Sequence, residues 1–119
     1  MDVHKKYSLF IGRYQPLHKG HITLIRSVLN EGKNVAVGLR DTPISESDPY
    51  SIEERMQMFS KEFEKEINSG QMIIFPIVDI EAVCYGRKVG YEIREIRLSE
   101  EIEKISATAI RKGELLNER

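Results

Sequence analysis

The feature of this 119-residue chain that most restricts its fold is an alternation of short apolar runs with segments of helical period. Tyr7–Gly12 is a compact apolar run closed by a glycine, the pattern of a buried strand. Ile22, Ile25, Val28 and Leu29 follow at helical spacing, and Gly32 ends that helix. Asn34–Leu39 carries Val35-Ala36-Val37-Gly38-Leu39, a near-continuous apolar strand of the kind found in parallel sheets. Arg40–Tyr50 is a polar loop with two prolines. A capping box then opens a helix at Ser51, whose hydroxyl can cap the Glu54 N–H while the Glu54 carboxylate reaches back. Ile52, Met56, Phe59, Phe63 and Ile67 form one stripe along that helix, which predicts a face turned to the sheet. Asn68-Ser69-Gly70 ends it. Met72–Val78 is the next strand, with Pro76 confining it to an edge or a bend. Glu81–Tyr85 and Tyr91–Leu98 are further candidate strands, and Ser106 opens a short final helix.

This order predicts parallel strands joined by right-handed crossovers, with helices on both faces. Ligands of such sheets sit beyond the carboxyl ends of the strands, where the connection direction reverses. The length suits one core, hence a single domain over residues 1–119. With 18 Lys and Arg against 19 Asp and Glu, the chain lacks the basic excess of a general nucleic-acid binder. The single Cys84 cannot form an internal disulfide. No apolar stretch approaches bilayer length, and the amino terminus lacks the apolar segment of a signal peptide. A cytoplasmic protein with neither a membrane nor a nucleic-acid partner is expected, with homo-oligomerisation left open.

Two segments carry chemistry. Gly12-Arg13-Tyr14-Gln15-Pro16-Leu17-His18-Lys19-Gly20-His21 lies between the first strand and the first helix. Backbone N–H groups at that helix start can cradle an anion. Gly12 lets the chain turn at the strand end, and Gly20 lets backbone approach a phosphate closely. His18 and His21, three apart, can bring both imidazoles to one spot, where two N–H donors would stabilise charge developing at an α-phosphorus. The bland alternative is polar decoration of a helix cap. A zinc site adding Cys84 or His4 is weaker, because no paired Cys or carboxylate completes a ligand set. The second segment, Ile105-Ser106-Ala107-Thr108-Ala109-Ile110-Arg111, places two hydroxyls and a guanidinium at a helix start. Such a group suits phosphate, although a capped helix with a surface arginine has the same wording.

The first string resembles the Gly-x-Phe-x-Pro-x-His-x-Gly-His motif of the HIGH-type nucleotidyltransferase superfamily, with Tyr14 in place of the usual Phe. Its wording is most similar to that of archaeal nicotinamide-mononucleotide adenylyltransferases. The second string resembles the superfamily's Ile-Ser-x-Thr-x-Ile-Arg element. The resemblance implies an α/β, Rossmann-like parallel sheet of about five strands with helices on both faces. It implies an enzyme that transfers a nucleoside monophosphate from an NTP to a small phosphorylated acceptor, releasing pyrophosphate. His18, His21 and Arg111 would be catalytic; Gly12, Arg13, Tyr14, Lys19, Gly20, Gly86, Ser106 and Thr108 would hold the nucleotide, with Mg²⁺ carried by the bound NTP. An acceptor phosphate, ionised above a second pKa of about 6, needs no strong general base.

Asp48-Pro49-Tyr50-Ser51-Ile52-Glu53-Glu54-Arg55 resembles the family's Asn-Pro-Phe-x-x-x-Glu-Arg segment. Arg55 there either forms a surface ion pair or reaches into the site to hold the acceptor or a phosphate. Arg40 and Asp41, just beyond the second strand, match positions that contact the acceptor in relatives, and Arg87 is a further acceptor candidate. Gly86-Arg87-Lys88 lies where relatives approach base and ribose. The motif wording favours ATP, whereas the compact length favours CTP. The short path from Pro76 to Gly86 suits a phosphorylated alcohol or sugar better than nicotinamide mononucleotide. A nucleotide-binding module without turnover is the alternative of a different class.

Overall fold

The protein is described here by a computed structural model that covers residues 4–87 and 90–97. Lys88 and the whole of the Ile105–Arg111 segment lie outside the described residues. Six elements follow one another: β1 (Tyr7–Gly12), α1 (Lys19–Leu29), β2 (Asn34–Asp41), α2 (Ile52–Glu62), α3 (Glu64–Ser69) and β3 (Met72–Val78). The three strands form a parallel sheet in the order β1-β2-β3. Phe10 pairs with Val37, and Val37 with Ile74, so these three side chains share one face of the sheet. β2 is the central strand and β3 is an edge, where Pro76 costs no interior ladder bond.

The core fills one side of this sheet. Val35, Val37 and Leu39 alternate along β2 and meet Ile25, Val28 and Leu29 of α1, together with Phe59 and Phe63. Each such side chain contributes about 1.5–3 kcal/mol of burial free energy. The Ser51 capping box forms, with Glu54 N–H donating to Ser51 Oγ at 3.1 Å and Ser51 N–H to Glu54 Oε1 at 3.0 Å. The expected single helix divides at Phe63 (φ −114°, ψ 29°), yet Phe63 N–H still donates to Phe59 O and Ile67 N–H to Phe63 O. Gly70 (φ 83°) ends α3 in the left-handed region that a Cβ disfavours.

Helices occupy one face of the sheet among the described residues, not both. Arg26 of α1 shows why: its Nη1 lies 3.2 Å from Glu66 Oε2, its Nη2 donates to the Glu62 carbonyl, and its guanidinium covers the Phe63 ring. Crossovers of one hand that always advance in the same direction across a sheet deliver every helix to the same side. On the opposite face Leu9 remains 57 % exposed. Two candidate strands do not form either. Glu81–Tyr85 and the described part of Tyr91–Leu98 have no ladder, and Val83, Tyr85 and Ile93 are exposed. A period-2 pattern needs a partner edge for its N–H and C=O groups, and these segments meet none among the described residues. Ile96 packs on the core, and Arg94 Nη1 donates to Ser8 Oγ at 3.3 Å. No helix among the described residues is long and apolar enough to cross a membrane.

Candidate functional site

Gly12 of β1 pairs with Leu39 of β2, so both strands finish at the same edge of the sheet, where the chain crosses into α1. Gly12 does not make the turn: it lies within β1, outside the left-handed region. A Cβ there would stand 3.0 Å from Tyr14 Cε2 and 3.1 Å from Cζ, so the glycine makes room for a ring. The turn falls on Tyr14, at φ 52°. That backbone region costs a non-glycine residue roughly 1–3 kcal/mol, which neighbouring interactions must offset.

Those neighbours are buried and polar. Arg55, fully buried, donates from Nη1 to the carbonyls of Arg13 (2.8 Å) and Arg40 (2.7 Å) and from Nε to that of Ser51 (3.2 Å). It is therefore no surface ion pair. Burial lowers its pKa, against the opposing charges of Asp41, Asp48 and Glu53. Its Nη2 and the Thr42 hydroxyl have no hydrogen-bond partner among the described residues. Gln15, 2 % exposed, grips the loop before α2 with both ends of its amide: Nε2 donates to Tyr50 O, and Oε1 accepts from Tyr50 N–H, each at 2.9 Å. Arg13 Nη1 lies 3.0 Å from Asp48 Oδ1. Three contacts thus bind the loop 42–51 to the crossing segment.

The two histidines meet at the start of α1. Their rings stack with centroids 3.7 Å apart and planes 21° from parallel. His18 Nδ1 accepts from Gly20 N–H at 3.1 Å, and His21 Nδ1 accepts from His18 N–H at 3.3 Å. A backbone N–H can only donate, so neither Nδ1 carries a proton. Each neutral ring then bears its hydrogen on Nε2, a donor that no hydrogen bond among the described residues occupies. The pair is a helix cap and a double donor at once. Burial, followed by the proximity of His18, pushes the His21 pKa down to about 3; burial also lowers that of His18. Both rings are neutral near pH 7. The Tyr14 ring stands edge-on to His21, centroids 4.7 Å apart, and edge-on to Phe59 at 4.9 Å. Burial raises the pKa of its phenol.

The remaining candidates divide. Lys19 and Gly20 lie in the first turn of α1, with Lys19 exposed. Arg40 and Asp41 belong to β2 itself rather than to the loop beyond it, because that strand runs two residues past Leu39. Arg40 turns to the segment after β3, with Nη2 2.7 Å from Asp79 Oδ1 and donating to Ile80 O. Gly86 and Arg87 are exposed and follow no strand, and a Cβ at Gly86 would meet nothing within 4 Å. Ser106, Thr108 and Arg111 lie outside the described residues. No group of three His, Cys, Asp or Glu positioned to hold a metal ion occurs among the described residues. Sequence reasoning passed over Gln15 and Asp48. The signal for Gln15 was its place in the ten-residue string, where a long amide beside a strand end has backbone to satisfy.

The chain is 32 % identical over 80 residues to a nicotinamide-nucleotide adenylyltransferase of Thermoplasma acidophilum, covering 66 % of this chain and 44 % of that protein. It is 36 % identical over 77 residues to the one of Methanococcus maripaludis, covering 62 % and 43 %. Among solved structures it is similar to a bifunctional NMN adenylyltransferase/ADP ribose pyrophosphatase from Francisella tularensis, with a TM-score of 0.53 and 34 % identity. That likeness covers 63 % of this chain and 23 % of the other. The chain therefore spans less than half the length of these relatives. The profile of the family described as cytidylyltransferase-like matches residues 9–71, more than half of the chain and all of the Gly12–His21 string. With the parallel sheet and the paired histidines at its carboxyl edge, this match makes the chain a member of the cytidylyltransferase-like family.

Proposed function

We propose that this chain transfers AMP from ATP to a small phosphorylated acceptor, with pyrophosphate as the leaving group. The observation that carries the reading is the stacked histidine pair at the α1 start, neutral and with two Nε2–H donors unoccupied among the described residues. An oxygen of the acceptor phosphate attacks the α-phosphorus, and the bond from that phosphorus to the bridging oxygen breaks. His18 and His21 stabilise the charge that grows on the phosphoryl oxygens, and in-line positioning does the rest. Neutral donors suit this task, because they impose no charge in a buried site and strengthen as negative charge develops. Arg13, Lys19 and the first-turn N–H groups receive the triphosphate, with Tyr14 and Gly12 shaping the wall. Ser106, Thr108 and Arg111 take the pyrophosphate, a role that rests on the family motif alone.

The described residues offer no group of three carboxylates, His or Cys to hold a metal ion, so Mg²⁺ would come with the bound NTP rather than sit in a protein cage. It would then neutralise charge on the phosphates. Arg40, Asp41 and Arg87 are proposed on the acceptor side, whereas Arg55 is assigned to the scaffold because its Nη1 and Nε donate to backbone carbonyls. The names of the relatives favour ATP, and a nicotinamide nucleotide is the first acceptor to try. Pyrophosphate release should be measured with ATP and CTP across nicotinamide mononucleotide, phosphorylated alcohols and phosphorylated sugars. ATP should give the higher kcat/KM. A preference for CTP overturns adenylyl transfer but not the mechanism; no release with any NTP leaves a binding module.

A further inference from the structure

We propose that Tyr14 is a positioning residue that sets the plane of the His21 imidazole, and that Gly12 is glycine in order to admit the Tyr14 ring. Four side chains and one missing side chain stand in line. The Tyr14 ring lies against Gly12, where even a methyl group would come within 3.0 Å. On its other sides it is edge-on to Phe59 and to His21, and His21 in turn stacks on His18. A ring held edge-on between two others has one orientation open to it, and it transmits that orientation to the imidazole it touches. The Nδ1 acceptor bond of His21 fixes one point of that imidazole, and a 3.3 Å bond alone leaves the ring free to swing about it.

The backbone supports the same role. Tyr14 is the one non-glycine residue at positive φ among the described residues. Its strained peptide is clasped on both sides, at Arg13 O by the buried Arg55 and at the Gln15 side chain by Tyr50. Buried polar groups spent on holding one strained aromatic residue indicate that the place of the ring matters. Neither the hydroxyl of Tyr14 nor its chemistry enters: the role belongs to the ring, and the reacting atoms are touched by His21.

This role rests on the proposed nucleotidyl transfer only where turnover is the readout, so the test begins without it. In the wild-type chain, NMR should show contacts between the Tyr14 ring protons and the His21 ring protons; their absence overturns the proposal. Tyr14→Leu should shift the His21 ring resonances and lower kcat on the order of ten- to a hundredfold, with KM for ATP changed less than about threefold. Tyr14→Phe should recover most of that loss. Gly12→Ala, which keeps the ring but crowds it, should move the same resonances and serves where Tyr14→Leu fails to fold. Unchanged His21 resonances in a folded Tyr14→Leu or Gly12→Ala variant overturn the assignment. So does a rise in KM without a fall in kcat, or a Tyr14→Phe variant as impaired as Tyr14→Leu. If the wild-type chain releases no pyrophosphate with any NTP, the functional reading fails while the resonances still decide the positioning.

Discussion

On the proposed function, His18 and His21 carry two duties that usually belong to different residues. As caps they satisfy N–H groups at the start of α1, and that bonding dictates which nitrogen of each ring is protonated. An Asn or Ser at either place would satisfy the helix equally well and would lose the outward N–H. Substitution should therefore separate the two duties. His21→Ala is expected to lower kcat on the order of a hundredfold while ATP binding changes far less, because the proposed role of the lost donor is to act on charge that develops in the transition state. Steady-state kinetics paired with calorimetric titration of ATP would check this. Equal losses in kcat and in affinity would place His21 in ground-state binding instead.

At the scale of elements, Arg55 joins three of them: it sits on α2 and donates to carbonyls at the ends of β1 and β2 and at the α2 cap. A buried guanidinium whose Nη1 and Nε meet only carbonyls is uncommon, since desolvating the charge is offset here by those hydrogen bonds and by more distant carboxylates. Arg55→Leu would keep much of the volume and leave buried carbonyls without donors. It should cost about 2–4 kcal/mol, seen as a lower urea midpoint at unchanged slope. Arg55→Lys should recover only part of this, because one ammonium cannot reproduce a planar fork that serves three acceptors. Wild-type stability in Arg55→Leu would remove it from the scaffold. Much of this level was legible beforehand: the Ser51 cap, the Phe59 and Phe63 stripe and the edge position of Pro76 all follow from local pattern. The burial of Arg55 was not, because its place beside an apolar stripe has the same appearance whether the side chain turns out or in.

Over the whole molecule, the depressed histidines tie stability to pH. His21 has a folded pKa of about 3 against an ordinary value of 6.5, so between these limits the unfolded chain holds the proton that the folded chain refuses. Stability from this group is complete above pH 6.5 and is lost as the pH falls through that window. The slope is at most about 1.4 kcal/mol per pH unit for one proton. Tm should be level from this source above that value and decline below it, and His21→Gln should flatten the decline; an identical acid limb in that variant would contradict the shift. The parallel alternation, the strands β1 to β3 and the location of the histidine pair follow from local patterns of apolar period, cap and turn. Tertiary structure decided what no local pattern contains. Among the described residues it placed the helices on one face, left Glu81–Tyr85 without a ladder, turned Arg40 toward Asp79 and put the Tyr14 ring 3.0 Å from where a Cβ of residue 12 would stand. These outcomes depend on which surfaces meet across long sequence separations, and that competition for space and hydrogen-bond partners exists only once the chain is folded.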